Sequence, residues 1–218
     1  MSRVAHGGVA PGRVRIIGGH LRNSRLLVPD LDGLRPTPER ARETLFNWLA
    51  PTIAGARCLD LCAGTGALGI EALSRGAASV TFVECDARVA QALRANIERL
   101  KAGDGEVSVA AAQDFLRGTA RRFDLVFLDP PFALDLWADL ARALESGHWL
   151  AASALIYVES PRELVSALPE AWRMHRESFA GAVRFALYRR QAAASVKLAV
   201  ATHSAPGTGS THPPRGMP

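Results

Sequence analysis

The stretch that most restricts how this 218-residue chain can fold runs from residue 57 to 76. It reads "RCLDL", a short apolar run, then "CAGTG", then "ALGIEALSRG", a helical pattern closed by Gly76. Gly64, Gly66 and Gly69 give the spacing G-x-G-x-x-G, which suits a strand-to-helix turn whose backbone must approach a ligand closely. The same rhythm continues downstream. "SVTFVE" reads as a strand and a helix follows from Asp86 to about Lys101. "EVSVAA" is a strand with a short helical piece near Asp114, and "FDLVFLD" leads into a helix from Leu134 to Ser146. "SALIYVE" is a strand and "PRELVSAL" is helical. Near-continuous apolar strands alternating with helices predict a parallel sheet covered on both faces. The ending breaks the pattern: "WRMHRESF" and "AVRFALYRR" are separated only by Ala180-Gly181, too short for a crossover helix, so they must pair antiparallel. The expectation is an α/β Rossmann-like fold with a seven-stranded, mostly parallel sheet ending in an antiparallel hairpin.

Ahead of this unit, "RVRIIGGHLRNSRLLV" reads as two β segments around Gly18-Gly19. Next, "LRPTPERARETLFNWLAP" reads as a helix with Thr37 at the N-cap, Pro38 at the first position and Pro51 as terminator. The expected organisation is a disordered segment 1–12, an N-terminal hairpin and helix 13–52, a ligand-binding domain 53–191 and a disordered tail 192–218. No apolar run is long enough to cross a membrane, and no secretory signal pattern opens the chain. Cys58, Cys62 and Cys85 have no zinc-like or disulfide spacing, so no metal is expected and the cytoplasm is the expected compartment.

The net charge of +5 is unevenly placed. Arg3, Arg13, Arg15, Arg22 and Arg25 precede the first acidic residue, Asp30. Guanidinium groups suit phosphate oxygens, so the arm suggests nucleic acid, although a solvated basic tail has the same composition.

A glycine turn of this kind serves NAD and S-adenosylmethionine alike, and Glu84, at the end of the next strand, suits the ribose hydroxyls of either. Asp60 separates them. A carboxylate beside a pyrophosphate is repelled, whereas S-adenosylmethionine carries a cationic amino group and a sulfonium. The alternative for Asp60 is a cap on local backbone amides. Asp114 either accepts from the adenine amino group or caps a short helix.

The fourth strand ends in Asp129-Pro130-Pro131-Phe132. Parallel strands present their carboxyl ends to the ligand crevice, and two prolines hold the Asp129 carboxylate and the Pro130 carbonyl in restricted directions. Two fixed acceptors suit the two hydrogens of an amino group on a base ring, and Phe132 offers a face for an extruded base.

Taken together, these segments resemble the class I S-adenosylmethionine-dependent methyltransferases, more narrowly the RsmD-type 16S rRNA guanine-N2 methyltransferases of bacteria. The resemblance is carried by "RIIGGHLRNSRLLVP", "LRPTPERARETLFNWL", "DLCAGTGALGIEALSRGA", "VECD" and "FLDPPF". Cys62, Thr65 and Pro38 stand where that family usually has Phe, Ser and Thr, and the tail after Arg190 lies outside the pattern. The resemblance implies methylation of guanine 966 of 16S rRNA, in an assembling 30S particle, by a monomeric enzyme. Asp60, Ala63, Gly64, Gly66, Glu84, Asp114 and Asp129 would hold S-adenosylmethionine, and Asp129, Pro130 and Phe132 would act at the target amine. Arg15, Arg22, Arg25, Arg35, Arg40 and Arg42 would contact RNA phosphates. The competing readings are a DNA adenine-N6 or cytosine-N4 methyltransferase and a non-catalytic RNA-binding assembly factor on the same fold.

Overall fold

The computed structural model describes residues 12–29, 37–164 and 167–191. An antiparallel ribbon, β1 (Gly12–Arg15) and β2 (Arg25–Val28), precedes helix α1 (Glu39–Leu49). The alternating part follows as β3 (Arg57–Asp60), α2 (Ala67–Ser74), β4 (Ser79–Glu84), α3 (Ala87–Leu100), β5 (Gly105–Val109) and α4 (Ala112–Phe115). It continues as β6 (Phe123–Leu128), α5 (Trp137–Ser146), β7 (Leu150–Pro161), β8 (Trp172–Ala180) and β9 (Val183–Arg190). Seven strands form one sheet in the order β5-β4-β3-β6-β7-β9-β8. Strands β3 to β7 run parallel, and β9 pairs antiparallel with both β7 and β8. The chain winds outward from β3 to β5 and then returns to start again at β6. The carboxyl ends of β3 and β6 therefore border the switch-point crevice where such sheets bind ligands.

The inner strands β3, β4, β6, β7 and β9 bury both faces along their apolar runs, whereas the edge strands β5 and β8 stay largely open. Cys58, Leu125, Phe127, Leu155 and Tyr157 point to one side, under α1, α2 and the ribbon. Their neighbours Leu59, Val126, Leu128, Ile156 and Val158 point to the other, under α5. In α1, Leu45, Phe46 and Leu49 are fully buried, each contributing about 1.5–3 kcal/mol of hydrophobic stabilisation. Val14, Ile16, Leu26 and Val28 of the N-terminal ribbon join that same core, so the ribbon is packed as part of the sheet's cover. Its edge is closed by Asn96 of α3, whose amide donates to the Leu27 carbonyl at 2.8 Å and accepts from the Leu27 N–H at 3.0 Å.

The two ribbon strands flank Gly18-Gly19 as expected: the Ile16 and Asn23 amides bond to the Ser24 and Ile16 carbonyls and close a loop that carries both glycines. The glycines also lie against α2, where a Cβ on Gly19, at φ +74°, would fall 1.8 Å from the Ser74 carbonyl oxygen. Three local expectations change. Thr37 is not a cap; Pro38 holds that position without a side-chain bond, because the Thr37 hydroxyl is drawn inward, as described below. The predicted helix from Leu134 begins at Trp137, after a 3-10 turn at Phe132–Leu134. The described residues after "SALIYVE" form no helix. Ser160 and Pro161 still pair with Arg184 and Val183, which carries extended backbone past the point where a helix would start. The segments 1–11 and 192–218 lie outside the described residues; Gly12, expected in the disordered segment, already belongs to β1.

Candidate active site

Three carboxyl groups converge at the switch point. Asp60 ends β3, Asp129 follows β6 by one residue, and Glu159 lies near the end of β7. The β6–β7 register pairs Phe127 with Tyr157 and Leu128 with Val158, so Asp129 lies level with Glu159 on the neighbouring strand. Side chains alternate along a strand, so both acids project to the face that carries Phe127 and Tyr157, beneath α1.

Asp60 is 2% exposed and its Oδ2 accepts the Gly69 N–H at 3.0 Å. The predicted alternative, a bond to a local backbone amide, is therefore present: Asp60 tethers the Gly69 amide near the start of α2. Burial, aided by Glu84, raises its carboxyl to about 7 against the pull of the Gly69 amide. Glu84 accepts the Gly64 N–H at 2.9 Å and the Asp86 N–H at 2.8 Å. The Ala63 amide donates to Val83 and the Gly66 amide to Ala63. The Ala63, Gly64, Gly66 and Gly69 amides are thus already bonded, two of them to carboxyl groups. Gly66, at φ +73°, also leaves no room for a side chain, since a Cβ would meet Leu93 at 2.2 Å. A glycine-lined turn flanked by the Asp60 and Glu84 carboxyls fits a cationic nucleoside and disfavours a pyrophosphate by charge.

Asp114 lies within α4, with Ala111 at the cap position, so the capping alternative fails. Its carboxylate is largely exposed and pairs with Arg117 one turn along. The corner between β5 and α4 carries Ala110, Ala111 and Ala112 in its place.

At the end of β6, Pro130 is buried, Pro131 is extended at φ −54°, ψ 125°, and Phe132 is 40% exposed. The Phe132 ring leans on Trp137, centroids 5.6 Å apart, and leaves a face open. Asp129 is partly exposed. Desolvation first, then the charges of Glu159 and Asp60, push its carboxyl well above the ordinary value, while the Thr37 hydroxyl opposes this. Glu159 is 6% exposed and burial likewise raises it, against hydrogen bonds from Tyr157 and Thr37. The Tyr157 hydroxyl donates to Glu159 Oε2 at 2.9 Å, and the Trp137 indole N–H donates to the Glu159 carbonyl at 2.7 Å. Glu159 was not singled out from sequence, although "LIYVE" ends in an acid as "LVFLD" does; that parallel was the available signal.

The arginines divide. Arg22, Arg25 and Arg40 are exposed on the N-terminal segment, and Arg15 is exposed but paired with Glu39. Arg35 lies outside the described residues. Arg42 does not meet RNA, because it is 2% exposed. Its Nε donates to the Thr37 carbonyl at 3.2 Å, its Nη2 donates to the Arg15 carbonyl at 3.0 Å, and its Nη1 lies 3.7 Å from Glu71 Oε2. Glu71, fully buried, also accepts the Ile17 and Gly18 amides at 2.7 and 2.8 Å and the Arg75 Nε–H at 2.8 Å. This Arg42–Glu71 joint fastens ribbon, α1 and α2 together and holds Thr37 over the carboxyl groups. The available signal was the stripe itself: Arg42 lies three, four and seven residues before Leu45, Phe46 and Leu49, which places it on the buried face of α1.

Comparison with known proteins settles the lineage. Residues 14–189 match the family model described as "Conserved hypothetical protein 95". The chain is 49% identical over 193 residues to ribosomal RNA small subunit methyltransferase D of Escherichia coli, covering 88% of this chain and 96% of that protein. The chain belongs to the RsmD-type methyltransferase family. The solved structure of the Escherichia coli protein yhhF, named as a candidate methyltransferase, superposes with a TM-score of 0.77 at 50% identity, covering 84% of this chain and all of that one. A Streptococcus mutans protein described as SAM-dependent shares the fold at 15% identity, TM-score 0.61, over 76% of this chain and 52% of its own. Among the described residues, no helix is long and apolar enough to cross a membrane.

Proposed function

We propose that the protein methylates the exocyclic N2 amine of a guanine in 16S rRNA, guanine 966 in the usual numbering, within an assembling 30S particle. The observation that carries the reading is the pair of fixed acceptors at the end of β6. The Asp129 carboxyl and the Pro130 carbonyl stand beside the open face of Phe132, on the border of an acidic crevice suited to a cationic nucleoside. The rRNA and the nucleotide follow from the family's named relatives and the sequence resemblance.

In this reading Asp60 faces the cationic amino-acid end of the cofactor, Glu84 takes its ribose hydroxyls, and Ala63, Gly64 and Gly66 let it approach the backbone. Bound there, the cofactor supplies an electrophilic methyl group on a sulfonium. The chain's own work is positional and electrostatic. Asp129 and Pro130 accept the two hydrogens of the amine and turn its nitrogen toward the crevice, and Phe132 stacks on the extruded base. A guanine amine is a poor nucleophile because its lone pair is spread into the ring, and holding both hydrogens favours the localised form. The Asp129 carboxyl, raised by burial, is basic enough to take the proton that the methylated amine must lose. Arg22, Arg25 and Arg40 hold phosphates around the crevice.

The test is transfer of labelled methyl to small subunits from a strain lacking this enzyme, with the modified nucleotide mapped. Label on guanine N2 is expected, and Asp129→Ala should lower turnover by about 10²–10⁴-fold while calorimetric cofactor binding survives. Label on DNA, protein or another base atom would overturn the reading.

A further inference from the structure

The buried carboxyl of Glu159 has no part in the mechanism above, and its placement is deliberate in physical terms. An apolar side chain would fill the end of β7 at no desolvation cost, whereas a buried acid is costly unless it is given partners. Glu159 has them. Tyr157, two residues earlier on the same face, donates to Oε2 at 2.9 Å, Trp137 holds its backbone carbonyl at 2.7 Å, and the Thr37 hydroxyl reaches both this group and Asp129. A carboxylate offers about four acceptor sites, so these partners fix its orientation and leave capacity for a further donor.

That capacity lies beside the amine site. Glu159 is level with Asp129, on the adjacent parallel strand and on the same face. Neighbouring strands are about 4.8 Å apart, a spacing that two adjacent donors on one edge of a planar base can bridge through two carboxyl side chains that lean toward each other. The Watson–Crick edge of guanine carries two such donors side by side, the 2-amino group and N1–H. No other standard base has that pair: adenine N1 is a bare acceptor, as is cytosine N3.

We propose that Glu159 is the specificity residue for the target base, accepting guanine N1–H while Asp129 and Pro130 hold the 2-amino group. This rests on the guanine-N2 reading above. A base with a lone pair at N1 then faces an oriented carboxylate, and the site rejects it by repulsion and by an unmet acceptor. Thr37, whose carbonyl accepts from Arg42, lies beside both carboxyls.

The discriminating probe is 2-aminopurine, which keeps the 2-amino group and has a bare N1. Small subunits are reconstituted from 16S rRNA carrying either guanine or 2-aminopurine at the mapped nucleotide. Wild-type protein should prefer guanine by about 10²-fold or more in kcat/KM, the scale of a missing hydrogen-bond partner in a buried polar site. Glu159→Gln is nearly isosteric and can donate as well as accept. It should lower activity on guanine, raise it on 2-aminopurine, and shrink the preference at least about tenfold. Affinities measured with the demethylated cofactor, S-adenosylhomocysteine, should move in the same direction, and Glu159→Ala should bring the preference close to one. A parallel fall on both substrates, or an unchanged ratio in Glu159→Gln, would overturn the proposal. If wild-type protein places no methyl on guanine N2, the functional reading itself fails; methyl on N2 with an unchanged ratio condemns only the role of Glu159.

Discussion

Asp60→Asn separates the two tasks this carboxyl can perform, tethering the Gly69 amide and countering a cation. In the free protein, burial raises the group from 3.8 to about 7. The folded state therefore holds this proton more tightly than the unfolded chain does. The stability it contributes is full below about pH 4 and is lost as pH rises through 7. The span from 3.8 to about 7, at about 1.36 kcal/mol per pH unit, corresponds to about 4 kcal/mol. Asparagine cannot ionise and keeps an oxygen for Gly69, but it leaves amide hydrogens unpaired at about 1–3 kcal/mol. Without cofactor, the variant should thus be less stable than wild type at pH 5 and as stable or more stable at pH 8, as measured by urea unfolding. The cofactor should reverse the ranking. A cation beside Asp60 favours the ionised form, so binding expels its proton, and wild-type affinity should rise about tenfold per unit between pH 5.5 and 7. The variant should bind weakly, with no such slope. Titration calorimetry in two buffers of different ionisation enthalpy reads the proton directly. A flat wild-type profile, together with unchanged affinity in the variant, would reduce Asp60 to a tether for Gly69.

Arg42→Met should destabilise the protein by about 3–5 kcal/mol, because Glu71 stays buried with part of its charge uncompensated, and calorimetric melting should fall by about 10 °C. A loss below about 1 kcal/mol would deny the joint its role. Phe132→Ala should leave the melting temperature close to wild type, since the ring is 40% exposed. KM for the RNA substrate should rise about 5- to 150-fold, the range expected for losing one base–aromatic stack; an unchanged KM would remove the stacking role.

Much of the architecture was legible because it is written in local periodicity. The strand "RCLDL", its glycine turn and its helix are specified within twenty residues, and a two-residue link leaves β8 and β9 only one way to pair. Helix boundaries were less legible where tertiary pairing competes. "PRELVSAL" has a helical pattern, yet Ser160 and Pro161 are held extended by β9. Thr37 has the chemistry of a cap, yet its hydroxyl lies by two carboxyls whose strands begin only at Phe123 and Leu150.

The sequence alone therefore determined the order of strands, most of the helices, the glycine turn with Asp60 and Glu84 beside it, and the Asp129-Pro130 pair after β6. Each of these depends on residues adjacent in the chain and on the rule that parallel strands present their carboxyl ends to the crevice. Only the tertiary structure decided that Glu159 stands beside Asp129, that Thr37 lies by both, and that Arg42 pairs with Glu71 while Arg22, Arg25 and Arg40 face solvent. Those facts follow from the β6–β7 register, shifted between Phe123 and Leu125, and from the way α1 packs over the sheet. Register and packing are set by the whole core at once, so no short stretch of residues encodes them.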